Sequence, residues 1–126
     1  MTLPFSFEMP APGTPWSTND ERKMHHMVRH GFVTKWEAAT RMAYRSACNR
    51  AKRTYASDPA IVRVTIPFQK NRRRDPHNYC GTVLKAIIDG LVAGGCWPDD
   101  TPEWVDHVQP ILSKGTVVKI ELLPRL

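Results

Sequence analysis

Between Ile61 and Phe68 the chain alternates with a period of two. Val62, Val64, Ile66 and Phe68 fall on one side, and Ile61, Arg63, Thr65 and Pro67 on the other. This is the pattern of a strand with one buried face. It recurs over Thr116–Leu122, where Val118, Ile120 and Leu122 alternate with Val117, Lys119 and Glu121. Trp104–Leu112 reads as another strand, joined to the last by a turn at Ser113-Lys-Gly115. Near the amino end Leu3, Phe5 and Phe7 alternate with Pro4, Ser6 and Glu8, which predicts a strand over Leu3–Met9. Pro4 places that strand at a sheet edge or a strand start.

Two stretches carry helical spacing instead. From Thr34, with Glu37 three residues on as a capping box, Trp36, Ala39, Ala43, Ala47 and Ala51 recur on one face. Tyr44, Cys48 and Tyr55 widen that stripe, and Ser57-Asp-Pro-Ala60 breaks the helix. Arg41, Arg45, Arg50, Lys52 and Arg53 lie off the stripe, as a solvated face does. The second helix presents Val83, Leu84, Ile87, Ile88 and Leu91 and stops at Gly94-Gly95. Pro10–Pro15 is loop, and Arg22–His30 reads as a surface helix or loop. The order strand, helix, strand, helix, strand, strand argues for one α+β domain with helices packed on one sheet.

A length of 126 residues and a hydrophobic content of 41% suit a single globular domain. Eighteen Lys and Arg against twelve Asp and Glu give a net charge of +6. That excess favours polyanionic partners, nucleic acid first. No apolar run reaches the roughly 18 residues of a membrane span, and the amino end lacks the basic and apolar regions of a signal peptide. A cytoplasmic protein without membrane contact is expected. Cys48, Cys80 and Cys96 show no Cys-x-x-Cys spacing and read as reduced packing residues. His25, His26 and His30 lack the nearby Cys or Glu that would complete a zinc set.

The chemistry concentrates in Asn71-Arg-Arg-Arg-Asp-Pro-His-Asn78 and in the helical run and acidic pair beyond it. Asp75 before Pro76 is a good helix start, so the carboxylate has two readings, cap or metal ligand. A carboxylate at a helix amino terminus stays ionised and ready for a hard cation. Asp99 and Asp100 come after the helix, and in extended chain only one of them easily faces a site shared with Asp75. Lys85 and Asp89, four apart, form an ordinary surface pair or flank that site. Oxygen ligands call for Mg²⁺ or Mn²⁺, ions that activate water and stabilise charge on a scissile phosphate. Lys70, Arg72, Arg73 and Arg74, with Asn78, would hold a phosphate backbone, positioning it without reading bases.

These residues resemble the RusA family of Holliday-junction resolvases, small dimeric endonucleases common in bacteriophages and prophages. The resemblance lies in Arg72-Arg-Arg-Asp75, Asn78, Lys85-Ala-Ile-Ile-Asp-Gly-Leu91 and Gly95-Cys-Trp-Pro-Asp-Asp100. Pro15-Trp-Ser-Thr-Asn19 is similar to the family's amino-terminal signature. It implies a mixed sheet with two main helices, a homodimer, and Mg²⁺-dependent cleavage of four-way DNA junctions by paired nicks, in recombination and repair. It also implies that Asp75 and Asp100 bind metal and that Lys85 is the catalytic lysine. Asp99, His77 and Asp89 complete the expected metal shell.

Two departures stand out. His77 takes the place of the family's second aspartate, which removes a negative charge, weakens Mg²⁺ and favours Mn²⁺. The chain from Asn78 to Lys85 is also longer than in the best-known members, as if one insertion opened the helix. A junction-binding protein of the same fold without effective catalysis is the alternative. A structural protein with a basic surface fits the charge but not the arginine–aspartate clustering.

Overall fold

The computed structural model describes residues 2–70 and 72–125. Asn71, the first residue of the arginine stretch, lies outside them. Strand β1 (Phe5–Pro10) is followed by a short helix α1 (Thr18–Arg22), the long helix α2 (His26–Arg50) and strand β2 (Ala60–Phe68). A 3₁₀ turn (Pro76–Tyr79) runs through a π-helical segment (Cys80–Leu84) into α3 (Lys85–Ala93). Strands β3 (Val105–His107), β4 (Ile111–Lys114) and β5 (Val117–Pro124) close the chain. The fold is α+β, with helices against one mixed, open, five-stranded sheet.

Strand β2 is the sheet's axis. β5 pairs with it antiparallel on one side, and β3 and β4 pair with it parallel, one after the other, on the opposite side. β1 pairs antiparallel with the outer edge of β5. Val62, Val64 and Ile66 of β2, with Val118, Ile120 and Leu122 of β5, are wholly buried, as their alternation predicts. Ile61, Arg63 and Thr65 on the opposite face are only half-buried, and Arg63 clasps Glu121 across the strands at 2.8 Å. That pair raises the Arg63 pKa and lowers that of Glu121, in each case first through their side-chain hydrogen bonds.

Several expected boundaries shift. Thr34 does not start α2: the helix begins two turns earlier, where the His25 side chain accepts the Met27 N–H. Glycine costs a helix only about 1 kcal/mol, and Gly31 is tolerated inside this one. Its carboxyl end comes at Arg50, ahead of the proline break, with Lys52 in the left-handed conformation. The buried face is Trp36, Thr40, Tyr44, Ala47 and Cys48, while Ala51 is exposed. The Trp104–Leu112 run is split into β3 and β4 around Pro110, whose missing N–H cannot serve a ladder. Ser113 and Lys114 belong to β4, and the chain rounds the end of β2 at Gly115, whose N–H donates to the Phe68 carbonyl. The first strand begins at Phe5 rather than Leu3.

Helix α3 lies close against α2 at Gly90. A Cβ there would stand 2.6 Å from the Glu37 carbonyl oxygen and 2.7 Å from Thr40 Cβ. Glycine thus sets the depth at which α3 lies against α2. Cys48 and Cys96 are buried, Cys80 is half-buried, and all three are free thiols. Burial raises the Tyr44 phenol pKa, with Cys96 beside it, and pushes the Cys96 thiol up to about 12.

Candidate functional site

Phe68 ends β2 on a half-apolar, half-cationic platform. Tyr79 packs edge-on against its ring at 5.3 Å, and the Arg74 guanidinium lies over it at 3.9 Å. Arg74 also donates to the carbonyls of Lys70 and Arg72 at 3.0 and 3.3 Å. A planar guanidinium suits such stacking with simultaneous donation. Arg74 is therefore half-buried and holds the loop, whereas Lys70, Arg72 and Arg73 project into solvent.

Asp75 is the cap of the 3₁₀ turn: its carboxylate accepts the His77 N–H at 3.1 Å, with Pro76 directly behind it. Asn78 lies inside that turn and does not cap it. The Pro15–Asn19 segment docks here. Thr18 Oγ1 donates to the Asn78 carbonyl at 3.2 Å, and the buried Thr82 Oγ1 donates to the Trp16 carbonyl at 2.6 Å. The stretch that the resemblance marks as longer is the π-helical segment Cys80–Leu84. A π turn absorbs an extra residue without ending the helix, and such turns recur at functional sites. The expected continuous helix is thus three helical forms in series.

The first residue of α3 proper is Lys85. Its Nζ lies 2.8 Å from Asp89 Oδ1, one turn on, and 2.7 Å from Asp100 Oδ2, across the loop that follows the helix. Asp100 is thus the member of the Asp99-Asp100 pair that reaches Lys85. Asp99 instead accepts the Asp100 backbone N–H at 2.7 Å. The Asp100 hydrogen bond, then that of Asp89, raises the Lys85 pKa. In return the bond from Lys85, then that involving Asp99, holds Asp100 below the usual carboxylate range. At neutral pH the cluster is a cation between two anions.

Lys85 and Asp100 open onto a cleft of about 310 Å³, lined also by Cys80, Ile88, Asp106 and His107 among others. Burial raises the Cys80 thiol pKa, and the Asp75 carboxylate raises it further. Asp106 and His107 enter only because β3 pairs with β2, and nothing in their spacing along the chain marks them. Among the described residues, no three His, Cys, Asp or Glu side chains gather in a group that could hold a metal ion. His77 is exposed, and its backbone N–H is taken by Asp75.

No protein-family model matches this chain, and no curated protein matches it either. No helix among the described residues is long and apolar enough to cross a membrane.

The two carboxylates that converge on Lys85 Nζ already share one cation position. Mg²⁺ uses one or two carboxylates and fills its remaining sites with water and phosphate oxygens. Asp89 and Asp100 fit that requirement once the Lys85 ammonium turns aside.

Proposed function

We propose that this chain is a divalent-metal-dependent endodeoxyribonuclease of the RusA type. It works as a cytoplasmic homodimer that nicks four-way DNA junctions in recombination and repair. The observation that carries this reading is the convergence of Asp89 and Asp100 on one cation, at the far end of a segment that begins with exposed arginines.

Asp100 and Asp89 would hold Mg²⁺ or Mn²⁺, with Asp75 as the further ligand that the resemblance implies, and the ion would supply an activated water and neutralise charge at the scissile phosphate. Lys85 remains protonated, so it serves as a hydrogen-bond donor to a non-bridging phosphate oxygen and not as a base. A preorganised cation aimed at developing charge is a large contributor to such reactions. Lys70, Arg72 and Arg73 would seat the phosphate backbone at the other end of this segment, with Arg74 keeping their loop in shape. The attacking water oxygen would bond to phosphorus and lose a proton to solvent, one P–O bond would break, and the departing oxygen would take up a proton from solvent.

Asp75→Asn and Asp100→Asn should each abolish nicking of a synthetic four-way junction while junction binding persists. Cleavage that survives both changes overturns the reading. A second reading, junction binding without cleavage, is favoured by the hydrogen bond that already engages Asp75 as a cap. Tight junction binding with no nicking in either Mg²⁺ or Mn²⁺ selects it.

A further inference from the structure

Phe68, Arg72 and Arg74 are shared by three adjoining clefts at the end of β2, with volumes of about 520, 490 and 90 Å³. The cations around them come from four separate parts of the fold. Lys70 and Arg72 belong to the loop after β2, Lys23 follows α1, and Lys114 ends β4. Lys35 of α2 reaches across Gly13, its Nζ 3.3 Å from where a Cβ on that glycine would stand. All five are exposed, and among the described residues none of them takes part in a salt bridge. Asp20, the acid lining this region, is occupied by the Ser17 N–H at 2.9 Å. Five exposed cations against the one Asp20 carboxylate leave these grooves net positive, an anion-seeking surface.

The sheet register sets how far Lys114 of this surface lies from the wall of the Lys85–Asp100 cleft. His107, on the wall of the Lys85–Asp100 cleft, pairs with Val62, and Lys114 pairs with Phe68 on the same edge of β2. Six strand residues at about 3.3 Å each separate them by roughly 20 Å. On B-DNA, with about 3.4 Å per base pair along each strand, that is about six base pairs.

We infer that the surface formed by Lys23, Lys35, Lys70, Arg72 and Lys114 is a second phosphate-backbone site. It grips a DNA arm about six base pairs from the phosphate held at Lys85. The inference rests on the nuclease reading for the placement of the scissile phosphate. Lys23, Lys35 and Lys114 carry no share of the cleavage chemistry. Their task is to hold one arm so that the scissile phosphate stays in register with Asp100.

The test is a salt titration of junction binding by the full chain and by the double variant Lys35→Gln, Lys114→Gln. Each lost phosphate contact lowers the slope of log affinity against log salt by about 0.9, so the double variant should lose about 1.8. The fall in affinity between about 50 and about 200 mM salt then shrinks roughly tenfold. Neutral methylphosphonate linkages about six base pairs from the nick should weaken the wild-type protein more than the double variant. An unchanged slope with intact junction binding overturns this second site and leaves the nuclease reading standing. Equal losses from the methylphosphonates in both proteins overturn its placement. A wild-type chain that binds no junction at any salt overturns both.

Discussion

Lys85 and Asp100, fifteen residues apart in the chain, meet at 2.7 Å, so the amino end of α3 is tied to the loop beyond its carboxyl end. The ion pair places a fixed positive charge where two carboxylates converge. One ammonium against two carboxylates leaves a net negative charge, and under the nuclease reading a divalent ion would compete with the ammonium for the same oxygens.

Lys85→Met removes that competitor. The Asp100 pKa should rise toward its ordinary value, which a carboxyl-carbon NMR titration reads directly. A depressed native pKa adds stability above about pH 4 that is lost as pH falls through the native value. The stability gap between wild type and variant should thus be present at neutral pH and close in acid. Because both partners are more than a third exposed, the gap should not exceed about 1 kcal/mol. Under the nuclease reading, nicking should fall by about a hundredfold or more, the cost of losing one donor aimed at developing charge.

Asp75→Asn and Asp75→Ala separate capping from metal binding. Asparagine caps about as well as aspartate, so its variant should melt within a few tenths of a kcal/mol of wild type, whereas alanine should cost about 1 kcal/mol. Under the nuclease reading both variants lose nicking. Full nicking by the asparagine variant would reduce Asp75 to a structural cap.

Gly90→Ala adds one carbon where the Glu37 carbonyl and Thr40 already stand under 3 Å away. The two helices have to move apart, at a cost of about 1–3 kcal/mol. Urea denaturation should show a lower midpoint with an unchanged slope.

Thr82→Val keeps the shape of the π-helical segment and deletes the hydroxyl that serves the Trp16 carbonyl. A buried acceptor left without a donor costs about 1–3 kcal/mol. The loss should appear as a lower melting temperature and as faster amide exchange in the Pro15–Asn19 segment, which this bond anchors.

Cys96, its pKa pushed up to about 12 by burial, should resist a thiol reagent at pH 8 until the protein unfolds. Mass spectrometry of the modified cysteines before and after denaturation checks this.

Period-two and helical spacing found β2, β5 and the α3 face because those positions answer to one buried surface each. They did not find the start of α2, where a histidine caps and a glycine sits within the helix, nor the break that Pro110 makes between β3 and β4. The carboxylates and arginines of the candidate site stood out in the chain as residue types. Their grouping did not: the spacing paired Lys85 with Asp89 alone, and only the path of the loop through Asp99 brings Asp100 to the same ammonium. Arg74 looked like its two neighbours, yet stacking on Phe68 gives it a structural task. Lys35, Lys114 and His107 left no local signal, because each reaches its cleft through tertiary packing alone.

The placement of β5 between β1 and β2, with β4 on the far edge of β2, also bears on the chain's synthesis. Both flanks of the central strand, and the strand partner of β1, come from residues beyond Trp104. A ribosome-bound chain halted before that point holds β2 as an apolar ribbon with neither neighbour in place. Long-range pairings of this kind fold slowly and leave hydrophobic edges exposed in the meantime. The nascent protein should therefore depend on chaperone shielding until residues up to Pro124 have emerged.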